Sequence, residues 1–327
     1  MELKPKLSIC IASMGRRVEL HSQVGRLLAD SSGLAVEVVV ADASPEHEKL
    51  SLSDPRLTVL RLPQPNGVDR DYDLAVRAAT GEFCWLFTDD DLASPGLCGR
   101  ILDTLEACQF AASVLLLDAV VREPSGEVLR TSMLPSGAPH RLEAGADAVE
   151  FAPLAGLLTF IGSVVIKRSL WLERSSERFV GTEFRHVGLV LERPLPEPVI
   201  IIREPLISIK YGAAHWEPRA VRVWLRQWPD LIDEVVSKND RAKFLPTSPV
   251  RQALDALGYR ARGLLGVHNV RDCYPRQRSF PVRSLFYLVA VFPRRAAAVV
   301  LIAKARVRGL ETKMLRFDTS RGSRVFR

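Results

Sequence analysis

The stretch that decides the fold is Glu82-Phe83-Cys84-Trp85-Leu86-Phe87-Thr88, which runs straight into Asp89-Asp90-Asp91. Seven residues with almost no polar position read as a buried strand, and uninterrupted strands of this kind suit a parallel sheet covered on both faces. In open α/β sheets the ligand crevice lies at the carboxyl ends of the strands, where these three acids fall. Like charges packed this closely repel, so a counter-cation is the natural resolution. Carboxylate oxygens suit Mg²⁺ or Mn²⁺, which bridge one or two acids to substrate phosphates. In an extended chain Asp89 and Asp91 would share one side and hold the metal, with Asp90 turned away. The alternative is a polar strand-to-loop cap for a following helix.

Working outward, residues 7–13 (LSICIAS), 36–41 (VEVVVA) and 57–62 (LTVLRL) read as three further strands. Leu20, Val24, Leu27 and Leu28 recur at helical spacing, and Gly33 ends that element. A second helix is expected over 69–79, with Gly81 as its C-terminal cap. Strand, helix, strand, strand, helix, strand argues for an α/β domain. Pro124-Ser125-Gly126 between two apolar runs predicts a hairpin over 114–130. Residues 157–166 are again apolar, and 198–210 (PVIIIREPLISIK) read as strand, turn, strand. From 217 to 265 the pattern turns helical and polar. The expected parts are 1–216 as the catalytic domain, 217–275 as a helical extension and 276–327 as a basic, apolar tail.

The 327 residues are 47% hydrophobic and 25% charged, which excludes disorder over most of the length. Five cysteines with no CxxC spacing indicate neither a disulfide framework nor a zinc site. Cys10 and Cys84 lie in strand-like runs, as small buried hydrophobes do. No signal-peptide pattern opens the sequence, so a cytoplasmic location is expected. The net charge of +7 is unevenly spread. Residues 276–327 carry 13 basic and two acidic residues, +11, which leaves −4 for the rest. A localised basic tail points to an anionic partner, membrane surface or nucleic acid. Sparse aromatic interleaving argues against nucleic acid.

Two more elements bear on chemistry. Asp42 ends the strand at 36–41; its carboxylate can accept hydrogen bonds from a ribose or base, or form an Asx turn with Ser44. Gly67-Val68-Asp69-Arg70-Asp71-Tyr72 opens a helix, where backbone N–H groups favour anions. Arg70 can reach a diphosphate bidentately or form a surface ion pair with Asp71 or Asp73.

Leu7–Ser13, Val38–Asp42, Asn66–Tyr72 and Gly81–Asp91 together resemble the GT-A glycosyltransferases of family 2, and the sub-pattern Gly67–Tyr72 then Ala79–Asp91 is similar to abequosyltransferase-like members that build bacterial surface polysaccharide on a lipid carrier. The resemblance implies a GT-A fold, α/β with a mostly parallel central sheet, followed here by a helical C-terminal extension. It implies an inverting transfer from a nucleotide-sugar donor to a saccharide acceptor. Asp42 and the first strand end would contact the donor, joined by Ser13, Arg16, Asp69, Arg70 and Asp90; Asp89 and Asp91 would hold Mg²⁺ or Mn²⁺. The first loop departs from the family's Pro-Thr-Tyr-Asn-Arg, having Ala12-Ser13-Met14-Gly15-Arg16.

Transfer also needs a group to take the acceptor's proton. The resemblance points to Phe179–Gly188, with Glu183 first and His186 second; the alternative is that the two merely pair on one helix face. A late histidine, His215, is the third candidate metal ligand by the same resemblance. In the tail, the apolar run 285–303 is broken by Pro293-Arg294-Arg295. Each half is too short to span a bilayer, so an in-plane or re-entrant element on the inner face of the plasma membrane is expected, the alternative being a packed C-terminal helix. Competing functions are a sugar nucleotidyltransferase, for which Ser13-Met14-Gly15-Arg16-Arg17 is a poor glycine-rich loop, and a non-catalytic scaffold.

Overall fold

The computed structural model describes residues 4–45, 50–174, 177–212, 217–246, 248–273, 280–308 and 312–321. The chain divides into two compact units, Met1–Ala213 and Ala214–Arg327.

The first unit is built on one large, mostly parallel sheet. Its ten strands are β1 (Leu7–Ser13), β2 (Val36–Asp42), β3 (Leu57–Arg61), β4 (Phe83–Phe87), β5 (Leu92–Ala93), β6 (Val114–Arg122), β7 (Val128–Arg130), β8 (Arg141–Leu142), β9 (Val164–Lys167) and β10 (Val199–Lys210). The order is β3-β2-β1-β4-β9-β6-β10-β5, with β7 beside β6 and β8 beside β10. β1 to β4 pair in parallel, as do β6 and β10. β9 runs antiparallel to both its neighbours, β4 and β6. Six long strands therefore end on the same edge, at Ser13, Asp42, Arg61, Phe87, Arg122 and Lys210.

The helices cover this sheet through the periodicity seen in the sequence. In α1 (Arg17–Asp30), Leu20, Val24, Leu27 and Leu28 are buried against it. Asp30, the last residue of α1, accepts the N–H groups of Gly96 (2.5 Å) and Cys98 (3.2 Å) and so caps α3 (Leu97–Ala107). Short helices α4 (Ala155–Leu158), α5 (Arg168–Arg174) and α6 (Arg185–Leu191) complete the unit. The 114–130 hairpin forms as expected between β6 and β7. The segment 198–210 is one strand, not two. Pro205 cannot donate to the ladder, and the register against β6 slips between Ile202 and Ile207 while the strand continues.

α2 (Val68–Ala78) matches the expected helix, but Gly81 is not its cap. The helix ends on Ala79 in an extended conformation. Gly81 is instead pressed onto β1: its N–H donates to Ser8 Oγ (2.9 Å) and Glu37 Oε1 (3.1 Å). Glu37 Oε1 also accepts from the Ser8 hydroxyl (2.6 Å) and the Thr80 N–H (2.6 Å). This seam fixes where β4 enters the sheet, and hence where its acidic end emerges.

In the second unit, α7 (Ala220–Arg222) passes through a π-helical turn (Val223–Gln227) into α8 (Trp228–Val235), followed by α9 (Pro249–Arg262), α10 (Phe280–Val291), α11 (Arg294–Val307) and α12 (Lys313–Arg321). Ala256, Leu257 and Ala261 of α9 share one core with Phe286 and Ala290 of α10 and Ala297 of α11, so the extension and the tail form a single packed body. Among the described residues no single helix is long and apolar enough to cross a membrane; α10 and α11 meet at a bend of 108°.

A methyl group at Gly81 would lie 2.5 Å from Ser8 Oγ and 2.9 Å from Ser8 N. Because one contact is with backbone, Gly81→Ala is expected to destabilise the first unit by about 1–3 kcal/mol, measured as a lower midpoint in urea at unchanged m-value. An unchanged midpoint would mean the seam does not set the position of β4.

Candidate functional site

The site is assembled where β1, β2, β4 and β10 end together. After Phe87 the chain bends through Thr88–Asp91 and then joins the far edge of the sheet as β5, which pairs with Ile207 and Ser208 of β10. The triplet is thus held at both ends by hydrogen-bonded strands.

The bend changes which acids face one another. Asp89 accepts from the Ser13 hydroxyl (2.6 Å) and lies 3.4 Å from the Arg16 guanidinium. The same guanidinium pairs with Asp90. Asp91 is held on other partners: its Oδ2 accepts from Thr88 Oγ1 (2.7 Å) and its Oδ1 from the Lys210 N–H (2.9 Å). The expected alternation, with Asp90 apart, required an extended chain. In the bend it is Asp89 and Asp90 that share a cation. Ser13 and Arg16 of the divergent first loop are both brought to the triplet.

Burial pushes the Asp89 carboxyl up to about 6, with the neighbouring Asp90 charge adding to it. Burial likewise pushes Asp91 up to about 7, followed by repulsion from Asp90. Such a set fits a hard divalent cation: the donors are carboxylate oxygens, and a positive charge would relieve the strain of ionising them. Among the described residues no group of three or more His, Cys, Asp or Glu side chains forms a ready-made cage. Asp89 and Asp91 would supply two ligands, leaving the remaining positions to water and substrate oxygens, as Mg²⁺ prefers. His215 lies outside the described residues.

Asp42 is fully buried and both its oxygens are taken by backbone, Oδ1 by the Ser44 N–H (3.0 Å) and Oδ2 by the Leu50 N–H (2.9 Å). The Asx turn is the arrangement adopted, so this carboxylate shapes the loop after β2. Ser44 Oγ in turn accepts the Gly15 N–H (2.9 Å), tying that loop to the one carrying Arg16.

The helix-opening motif also works inward. Asp69 is buried, and its carboxylate accepts three backbone N–H groups, from Gly181 (2.8 Å), Glu183 (2.9 Å) and Arg185 (3.1 Å). It therefore holds the loop bearing Glu183 and the start of α6. Asp71 binds Asn66 through N–H (3.3 Å) and side-chain amide (3.2 Å). The buried Tyr72 hydroxyl donates to Phe87 O (2.8 Å), bracing the end of β4. Arg70 is half exposed and pairs with Glu177 at 2.5 Å, so the surface ion pair forms with a residue far along the chain.

Glu183 is half-buried with φ = 63°, a left-handed conformation that a non-glycine residue adopts only when its surroundings impose it. His186 differs from expectation. It lies inside α6, almost fully buried, with Nε2 3.1 Å from Leu158 O. Burial lowers its pKa to about 4, so the imidazole is neutral and packed within α6. Two supports of Asp91 were not assigned from sequence. Thr88 adjoins the triplet, but the Lys210 contact is made by main chain and leaves no mark in residue identity.

Residues 8–156 match the family described as Glycosyl transferase family 2. Among solved structures the chain is similar to S. aureus TarS 1-349 in complex with UDP-GlcNAc (13% identity, 98% of this chain and 93% of that one, TM-score 0.54). It is also similar to the mannosyltransferase PcManGT from Pyrobaculum calidifontis in complex with GDP-Man and Mn2+ (12% identity, 98% and 84%, TM-score 0.50). At these identities the likeness is one of fold. No curated protein matches the chain in sequence.

The raised carboxyls predict a pH dependence. A carboxyl whose folded pKa lies above its unfolded value, about 3.9, binds protons in the fold that the unfolded chain releases. Its environment is least costly below that unfolded value, and stability falls as pH rises towards about 7 for Asp91. In chelator, Asp91→Asn should match the parent near pH 4 and melt higher near pH 8. Identical melting profiles across this range would refute the burial of charge at Asp91.

Proposed function

We propose that the chain is a nucleotide-sugar-dependent, inverting glycosyltransferase acting on a saccharide acceptor. The observation that carries this reading is the acid triplet at the carboxyl end of β4, in a stretch similar to glycosyl transferase family 2, with Ser13 and Arg16 delivered to it by the end of β1 and the loop after it. The two similar structures carry UDP-GlcNAc and GDP-Man, which supports a sugar joined to a nucleoside diphosphate as donor.

In this reading Asp89 and Asp91 hold Mg²⁺ or Mn²⁺, which when bound supplies positive charge to the departing diphosphate. Arg16 is placed to turn from Asp90 to the phosphate oxygens. Glu183, fixed by Asp69, takes the proton of the acceptor hydroxyl as the oxygen attacks the anomeric carbon. The bond to the nucleoside diphosphate breaks on the opposite face, and the configuration inverts.

Glu183→Gln is expected to keep donor affinity and lower turnover by about 10²–10⁴-fold, the usual worth of a positioned base. Donor binding is read by calorimetry with UDP-, GDP-, CDP- and TDP-sugars plus Mn²⁺, and turnover by release of the nucleotide. Near-normal turnover would move the base elsewhere, and binding of none of the donors would sink the transferase reading.

The acceptor is further proposed to be lipid-linked, in bacterial surface-polysaccharide synthesis, and to be met at the inner face of the plasma membrane. In support, α10 and α11 bury one face in their own unit while Leu288, Val291, Phe292, Val299 and Val300 are turned outward. Arg283, Arg295, Lys304, Arg306 and Arg308 lie along the same two helices and their ends. Apolar side chains rimmed by basic ones suit an in-plane helix on anionic lipid, where each Lys or Arg near the surface adds about 1 kcal/mol. The protein should co-sediment with vesicles containing phosphatidylglycerol and resist full release by salt. Leu288→Ser with Val299→Ser should make the attachment wholly salt-sensitive. Failure to sediment at low salt would leave the outward face unexplained and the lipid-linked acceptor without support.

A further inference from the structure

The acid triplet has two ends, and each meets a different part of the sheet. Ser13 and Arg16 reach Asp89 and Asp90 from the β1 side. At the other end Lys210 donates its main-chain N–H to Asp91 Oδ1 (2.9 Å), so the backbone of Lys210, and not its ammonium, supports the triplet.

Lys210 is the last residue of β10, and its register partner on the parallel strand β6 is Arg122, the last residue of that strand. Ile207 and Ala119, register partners three residues earlier, belong to the core shared with α1 and α3. Side chains alternate along a strand, so Lys210 and Arg122 lie together on the opposite face. Both are half-buried. Arg122 donates Nη1 to Gly126 O (3.1 Å), and among the described residues neither Arg122 nor Lys210 makes an ion pair. Ser208, two residues before Lys210 on the same face, is half-buried, and its hydroxyl makes no hydrogen bond among the described residues. Like charges on neighbouring strands repel, and partial burial weakens the screening that water would supply. An anion held between the two removes that repulsion.

A forked guanidinium, an ammonium and a hydroxyl on one face suit a tetrahedral oxyanion. A neutral saccharide would leave the two cations opposed, and a carboxylate offers fewer oxygens than there are donors. The diphosphate of a donor is drawn to the other end of the triplet, where Arg16 stands beside Asp89 and Asp90. We propose that Arg122, Lys210 and Ser208 form a phosphate subsite on the Asp91 side of the triplet, and that it takes a phosphate carried by the saccharide acceptor. Its assignment to the acceptor rests on the transfer reading above. A phosphate that joins a saccharide to its carrier has the required chemistry.

Calorimetry on the full chain in EDTA tests this, because chelation removes phosphate binding through a metal at the triplet. The probes are N-acetylglucosamine 1-phosphate, glucose 1-phosphate, inorganic phosphate, glucuronate and methyl glucoside at millimolar concentration. At least one sugar phosphate should bind, and more tightly than the other three probes. Lys210→Met and Arg122→Met should each weaken it by about tenfold or more. Lys210→Arg should stay within about threefold of the parent, and Arg16→Gln should leave this binding unchanged. Each substitution at Lys210 keeps the main-chain N–H on Asp91. Melting curves identify a variant that fails to fold, and Lys210→Gln then replaces Lys210→Met. A second titration, of UDP-, GDP-, CDP- and TDP-sugars with Mn²⁺, separates this proposal from the transfer reading. If parent and Lys210→Met bind a donor alike while no sugar phosphate binds in EDTA, the subsite is refuted and the transfer reading stands. If the parent binds no donor, the transfer reading falls and takes the acceptor assignment with it. The proposal is also overturned by sugar-phosphate binding that survives both methionine variants, by binding lost in Arg16→Gln instead, by donor binding lost in Lys210→Met, or by inorganic phosphate or glucuronate binding as tightly as the sugar phosphates.

Discussion

One carboxylate coordinates much of the first unit. Asp69, in the first turn of α2, accepts the N–H groups of three residues more than a hundred positions away, Gly181, Glu183 and Arg185. Burial raises its pKa, and the three N–H groups oppose that rise. A buried acid is tolerated where backbone donors replace its water, and here the replacement fixes a loop that has no strand partner of its own. From the same helix Tyr72 braces Phe87 O and Asp73 accepts the Trp171 indole N–H (2.9 Å). α2 is thereby joined to the end of β4 on one side and to the 181–185 loop on the other. The left-handed backbone at Glu183 is sustained because Asp69 holds the N–H groups on both sides of it.

The same economy recurs along the carboxyl edge of the sheet. Asp42 and Asp118 are buried acids that spend their oxygens on backbone: Asp118 takes the N–H groups of Ala119, Met133 and Leu134 together with the Ser132 hydroxyl. Acids that organise loops and acids that are left to meet a ligand therefore stand side by side. What separates them is the partner. Asp89 and Asp90 are answered by side chains, Ser13 and Arg16, and Asp91 by one side chain and one main-chain N–H, whereas Asp42 and Asp69 are answered by main chain and Asp118 by main chain with one hydroxyl.

This explains what the sequence could and could not disclose. The strands β1, β2 and β4, the helix α1 and the position of the triplet follow from apolar runs and helical periodicity, because burial dictates residue type directly. Strand direction is not written that way. Val164–Lys167 looks like any other apolar run, and its antiparallel insertion between β4 and β6 depends on the path of the chain around it. Pro205 looked like a turn, and only the register slip of β10 shows how a strand absorbs it. The roles of Asp42 and Asp69 were hidden because their partners are N–H groups, which every residue but proline carries. His186 looked chemical because histidine often is; its burial in α6 is a property of packing.

Arg16 has a consequence for ion choice. Once all three carboxylates are ionised, they and the Arg16 guanidinium, which pairs with Asp89 and Asp90, sum to −2. One divalent ion brings that to zero without displacing the arginine. A monovalent ion leaves a negative remainder beside buried groups, and a trivalent ion overshoots. The valence that balances the ionised cluster would thus be set by an arginine that need never touch the ion. Because burial raises the Asp89 and Asp91 carboxyls to about 6 and about 7, a bound cation would favour their ionised forms and release the protons they hold below those values. A cluster loaded in this way would act as an exchanger, trading protons for a single doubly charged ion.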